Sequence, residues 1–119
     1  MRRLIDALMN SARAFRHLAR HEAAFREELI VLAIGIPCAW LLSASLGGFL
    51  LLLGALLLVL LVEALNTGLE AVCDALSRDF NEQIRLAKDC GSLGVLLSII
   101  IAAGIWGHAL WERIAGVPI

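Results

Sequence analysis

From Leu29 to Val62 this 119-residue chain carries no charge, and charged residues make up only 18% of the whole. A run that long excludes an ordinary water-soluble surface. The 61% hydrophobic content and mean hydropathy of +0.86 stand well above the roughly 45–50% apolar usage of soluble domains, so the chain is read as a membrane protein. Cysteine is scarce. Cys38, Cys73 and Cys90 form no CxxC and no Cys/His metal spacing, which leaves them as small buried hydrophobes. His17, His21 and His108 have no ligand spacing among them, and His108 is read as structural. No basic block interleaved with aromatics is present, so nucleic-acid binding is set aside. No Walker A sequence occurs, which excludes a P-loop kinase. There is no soluble domain, internal repeat or low-complexity tail. The basic N-terminal stretch lacks an uninterrupted apolar segment and is not read as a signal peptide.

What remains is an all-α integral-membrane pattern in a single domain. Over residues 1–26, Leu4, Ile5, Leu8, Ala12, Phe15 and Leu18 recur at helical spacing among Arg2, Arg3, Arg13, Arg16 and Arg20. That pattern predicts an amphipathic helix lying in the membrane interface, cations toward anionic head groups. The uncharged run is too long for one span of roughly 20 residues. SASLGG at 43–48 supplies the break, giving span one at 27–44, kinked at Pro37, and span two at 48–74. A polar loop is expected over 76–90. Span three is then 91–113, anchored at the interface by Trp106 and Trp111. Gly47, Gly48, Gly54, Gly94, Gly104 and Gly107 are read as turn or close-packing positions. Nearly all Lys and Arg lie in the N-terminal segment and the 76–90 loop, and none in the 43–48 turn. The N-terminus and the long loop are therefore expected in the cytoplasm.

The chemistry sits where span two ends. VEALNTGLEAVCD, 62–74, places Glu63, Asn66, Glu70 and Asp74 three, four and four residues apart. On a helix these fall on one face within roughly 60–80°. A hydrogen-bonding stripe between helices would need only the asparagine. Three carboxylates on one stripe repel, and that repulsion calls for protons or cations. Carboxylate oxygens suit Mg²⁺. HEAAFREE, 21–28, brings Glu22, Glu27 and Glu28 to the same membrane face. AKDCGS, 87–92, adds Lys88, Asp89 and Ser92 there. Lys88 suits phosphate, and Gly91 with Ser92 at a helix start could offer backbone N–H groups to an anion. Glu28 and Asp89 can equally serve as complements to helix N-termini. Taken together the set suits metal–nucleotide binding and phosphoryl transfer.

These three segments, with an interfacial helix and three spans, resemble the prokaryotic diacylglycerol kinase family over essentially the whole chain. The resemblance rests on E-x-L-N-[ST]-x-[IL]-E-x-x-x-D followed by A-K-D-x-G-S. It implies a homotrimeric helical bundle of the inner membrane with active sites at protomer interfaces near the cytoplasmic surface. It also implies ATP-dependent phosphorylation of the diacylglycerol hydroxyl to phosphatidic acid. By motif position, Glu63 would be the general base, and Glu22 and Glu70 would hold Mg²⁺. Arg3, Asn66, Asp74, Lys88 and Asp89 would serve ATP, and Ser92 would lie near the lipid hydroxyl. Asp6 and Asn10 stand where the best-known members carry a lysine and a tyrosine. Asn81 stands where histidine is common, and His21 where asparagine is common.

Three other functions compete, one of them a structural or assembly subunit, for which neutral variants such as Glu63→Gln would be harmless. Undecaprenol kinases share the family and the chemistry. A small proton or cation channel would use the acidic stripe as a pore lining, but a pore needs polar groups through the whole membrane depth. Phe49–Val62 has none, and Ser98 is the only polar residue deep in span three.

Overall fold

In the computed structural model, which describes residues 1–77 and 79–119, the chain forms four helices. α1 is Arg2–His21, α2 is Ala23–Leu42, α3 is Leu46–Leu76 and α4 is Glu82–Ile114. No strand occurs among the described residues. α3 is the central element, packed on α2 along one side and on α4 along the other, while α2 and α4 barely touch. The body measures 55 × 38 × 24 Å.

α3 and α4 are each long and apolar enough to cross a membrane. At 31 and 33 residues they run roughly 46–50 Å, against a hydrocarbon core of about 30 Å. Their ends therefore extend well past an apolar slab. α2 is shorter, and Arg26, Glu27 and Glu28 occupy its first turns. Its uncharged part, 29–42, runs roughly 21 Å.

The boundary between the surface segment and span one, expected at 26/27, differs from the helical break. The break falls at Glu22, whose backbone is extended at φ −113°, ψ 110°. Two contacts fix the joint. Phe15 and Phe25 meet edge to face at 5.6 Å. The Arg26 guanidinium donates to the Arg20 carbonyl at 2.9 Å and the Ala19 carbonyl at 3.4 Å, satisfying groups that the end of α1 leaves without helical donors. Leu18, Phe25 and Leu60 pack together beneath the joint, so α1, α2 and α3 meet in one cluster. The rest of the α1 stripe, Leu4, Ile5, Leu8 and Phe15, stays exposed.

The expected 76–90 loop is mostly helix. Asn81 Oδ1 accepts from the Gln83 and Ile84 N–H groups, a side-chain N-cap that starts α4 at Glu82. Arg78, inside that expected loop, lies outside the described residues. Gly91 and Ser92 therefore sit well inside α4, and a helix-start anion site there is ruled out. The first turns of α4 carry Glu82, Gln83, Arg85, Lys88 and Asp89 ahead of the apolar stretch.

At the far end, Ser45 caps α3 by accepting from Gly48 N–H at 3.0 Å. Ala39, Leu52 and Ala109 form a fully buried cluster with Trp106 and Ile119 packed against it. The Ile119 carbonyl accepts from Ala44 N–H, so the final residues fold back onto the α2–α3 turn. Trp106 is not an interface anchor. Its indole N–H donates to the Leu52 carbonyl at 3.0 Å, tying α4 to α3, whereas Trp111 points outward. Ser98, buried, donates to the Val95 carbonyl at 2.7 Å, so this lone hydroxyl is satisfied within its own helix. Gly54, Gly104 and Gly107, expected as close-packing positions, face open space within the chain. The close approach of α2 to α3 is instead at Gly35, where a Cβ would strike Leu56 Cδ1. Of the cysteines only Cys73 is buried; Cys38 and Cys90 are exposed within the single chain.

Trp106→Phe removes the α3–α4 hydrogen bond and keeps an aromatic ring, so it should cost about 1 kcal/mol. Gly35→Val overpacks the α2–α3 contact and should cost about 1–3 kcal/mol. Denaturant unfolding in detergent micelles checks both; equal stability of Gly35→Val and the parent would contradict the close contact.

Candidate active site

α3 sets the geometry. The helix is unbroken from 46 to 76, so Glu63, Asn66, Glu70 and Asp74 share one face as their spacing requires. Burial falls steadily along that face. Glu63 is 8% exposed, Asn66 and Glu70 are half-buried, and Asp74 is exposed. The stripe is thus a ramp leading from a dry interior to the surface. Thr67 inserts its hydroxyl into the ramp's backbone, donating to the Glu63 carbonyl at 3.0 Å. The Asn66 amide nitrogen donates to Glu70 Oε1 at 3.3 Å. Asn66 Oδ1 is buried and has no hydrogen-bond partner among the described residues.

Across from this ramp stands the start of α2. Glu22, at the α1–α2 joint, and Glu70 are both within electrostatic reach of Glu63. Glu28 is the third neighbour of Glu63. The sequence places Glu28 at the membrane face of the stripe or as a complement to a helix N-terminus; its Oε2 is buried without a hydrogen-bond partner among the described residues, and its charge is felt by Glu63. Helical spacing could not have paired it with Glu22, which is extended and precedes α2; the only signal in the sequence is that both acids flank the start of the same helix. Glu28 also stands at one end of an apolar groove of about 540 Å³ between α2, α3 and α4, lined further by Gly35, Cys38, Leu56, Ala102 and Trp106.

The cations come from α4. Lys88 Nζ bonds Asp74 Oδ1 at 2.9 Å, bridging the foot of the ramp to α4. The hydrogen bond and charge of Asp74 hold the Lys88 ammonium above the ordinary lysine pKa. Asp89 pairs with Arg85 at 4.0 Å, one turn back on the same helix. Lys88 and Asp89 border a polar hollow of about 270 Å³ with Phe80, Asn81 and Arg85. Ser92 follows Lys88 by one turn on α4 and is exposed. Arg3 is not brought to this cluster within one chain. It is exposed on the first turn of α1, roughly 28 Å along the helix axis from Glu22.

The set therefore holds four carboxyl groups near one another, an amide with a free acceptor, and a paired lysine at the exit. Among the described residues no three His, Cys, Asp or Glu side chains converge on a single metal position. The residues fit an ion of the Mg²⁺ type all the same. Such an ion binds through one or two carboxylates and completes its shell with substrate phosphates and water. The unpartnered Glu28 Oε2 and the crowding of like charges around Glu63 mark where positive charge is short.

Two helices long and apolar enough to cross a membrane, with this acidic ramp and exit lysine, suit a phosphotransferase, and similarity to known proteins shows the class. The model of the prokaryotic diacylglycerol kinase family matches residues 9–110. The diacylglycerol kinase of Escherichia coli (strain K12) is 36% identical over 111 residues, 93% of this chain and 91% of that protein. The diacylglycerol kinase of Pseudomonas aeruginosa is 33% identical over 110 residues, 92% and 89% of the two chains. That of Haemophilus influenzae is 31% identical over 108 residues, 91% and 92%. The chain belongs to the prokaryotic diacylglycerol kinase family.

Because its pKa is raised, Lys88 keeps its charge and its bond to Asp74 below the ordinary lysine value and loses them as pH rises through the elevated one. Asp74→Asn should therefore lower the Lys88 titration midpoint. An NMR titration of the Lys88 side chain in micelles reads this, and an unmoved midpoint would remove Asp74 as its partner.

Proposed function

We propose that the protein phosphorylates the hydroxyl of diacylglycerol from ATP, giving phosphatidic acid, at the cytoplasmic face of the bacterial inner membrane. The observation that carries this reading is the ramp. It buries one carboxylate, Glu63, within electrostatic reach of Glu28, which borders the apolar groove, and it ends in a lysine that faces solvent. A lipid alcohol arrives from the dry end and a nucleotide from the wet end, so the two substrates meet where Glu63, Asn66 and Glu70 stand.

In this reading the acyl chains lie along the groove bordered by Glu28 and Leu56, and Ser92 lies near the lipid headgroup. Glu63 accepts the hydroxyl proton as the lipid oxygen bonds to the γ-phosphorus. The bond from that phosphorus to the bridging oxygen breaks, and ADP leaves carrying the electron pair. Glu22 and Glu70 hold Mg²⁺, which when bound neutralises phosphate charge and aligns the transferring group. Asn66, Asp74, Lys88 and Asp89 serve the nucleotide. Lys88 reaches the phosphates as a point charge, and Asp74 keeps that charge in place. Arg3 reaches the nucleotide of another protomer if copies assemble as a homotrimer. Such an assembly would also cover exposed aliphatic residues of α3 and α4. α2 completes a three-span bundle, and α1 lies in the interface with the N-terminus in the cytoplasm. Its exposed stripe of Leu4, Ile5, Leu8 and Phe15 supports that placement.

Turnover of ATP by the purified protein in Mg²⁺-containing micelles tests the reading, with diacylglycerol, undecaprenol or no lipid added. Diacylglycerol-dependent turnover is expected. Dependence on undecaprenol alone would transfer the activity to the polyprenyl alcohol, and folded protein with no lipid-dependent turnover would sink the kinase reading. Glu63→Gln should lower kcat by roughly 10²–10⁴-fold, the usual contribution of a positioned base. Glu70→Gln should raise the Mg²⁺ concentration for half-activation by about tenfold or more. An unchanged metal requirement would remove Glu70 from the metal.

A further inference from the structure

We infer that Gly91 is a positioning residue for Asn66: its missing side chain is the seat that turns the Asn66 amide onto Glu70. The inference rests on the proposed role of Asn66 and Glu70 in handling the nucleotide. A Cβ placed on Gly91 would clash with Asn66 Oδ1 and would lie 3.1 Å from Asn66 Cγ and 3.3 Å from Leu69 Cδ2. The amide of α3 is therefore pressed directly against the bare backbone of α4.

The polarity of that contact is fixed by charge. Asn66 Nδ2 donates to Glu70 Oε1 at 3.3 Å. Turning the amide over would set its oxygen against the Glu70 carboxylate, which has no proton to offer when ionised. The oxygen must point away, toward α4. There Oδ1 is buried without a hydrogen-bond partner among the described residues. Only a residue without a side chain admits it, and the Cα–H groups of glycine supply a weak donor. An alanine would be the better helix former at this place in α4, so the glycine is explained by what it accommodates and not by its own helix.

The other glycines of α4 give the contrast. At Gly94 a Cβ would make an ordinary 3.6 Å contact with Val62, and at Gly104 and Gly107 it would meet open space. Gly91 also lies three residues after Lys88, so the segment that carries the exit lysine also carries the seat for the amide on α3. One backbone position thus sets the distance between the two halves of the nucleotide-facing site.

The test compares Gly91→Ala, Asn66→Ala, the double variant and the control Gly94→Ala in the full chain in micelles. Two readouts are used: the Asn66 side-chain amide NMR signal, and kcat and KM for Mg·ATP. In Gly91→Ala the amide signal should move and KM should rise roughly tenfold, the usual effect of losing a residue that orients a ligand, with kcat much less affected. Gly94→Ala should change neither. The double variant should be no worse than Asn66→Ala, because Gly91 acts only through Asn66. An unmoved amide signal in Gly91→Ala, or losses that multiply in the double variant, would overturn the seat. If Gly91→Ala does not fold, the double variant should restore folding by vacating the space, and its failure to do so also overturns the proposal. A fully active Asn66→Ala would instead defeat the nucleotide role of Asn66, while the amide signal still decides the seating.

Discussion

Glu63 stands where α3 stops being aliphatic, and a carboxylate there has lost most of its water. Removing a charge from water is expensive unless hydrogen bonds or opposite charge replace it. The surrounding structure answers that cost by position. Asn66 and Glu70 come next along the ramp, Glu22 and Glu28 approach from α2, and the first lysine appears only where the ramp reaches solvent. None of these neighbours neutralises Glu63. On the proposed reading, this local surplus of negative charge would make the site receptive to a metal-bound phosphate, with Lys88 held at the rim.

Two helices present this surplus and a third limits it. α3 contributes the ramp, α2 turns sharply at Glu22 and returns Glu28 to the same place, and α4 closes the exit with the Lys88–Asp74 bond. The apolar packing beneath, from Leu18 and Phe25 through Ala55 to Ala109, keeps these three in register. An exposed ion pair of this kind contributes little to stability. The bridge between Lys88 and Asp74 is better understood as an aiming device for the lysine.

The ramp was legible in the sequence because a helix converts spacing directly into direction. Glu63, Asn66, Glu70 and Asp74 needed only the helix to exist. The start of α4 was not legible, since EQIRLAKDC is polar enough to pass for loop and its start depends on a single capping side chain, Asn81. Trp106 was misread for a related reason. Tryptophan near a span end suits an interface anchor, and only the approach of Leu52 on another helix turns its N–H inward. The partners of Glu28 and Gly91 were not legible because each pair joins residues far apart in sequence: Glu28 with Glu63, Gly91 with Asn66. Periodicity reports which face a residue occupies, and it is silent about what stands opposite.

Glu22 adds a mechanical consequence. As the one extended residue between α1 and α2, it is the fulcrum of a lever whose long arm is the surface helix, roughly 30 Å. Its carboxyl group is the short arm. A rocking of α1 by about 10° would sweep its far tip by roughly 5 Å yet carry the carboxyl group less than about 1 Å, by the same helix dimensions. The gearing runs in the protective direction. With α1 in its proposed interfacial place, undulation of a soft bilayer surface would be stepped down before it reached the acids, so a helix riding on lipid could be joined to a site that depends on fixed distances.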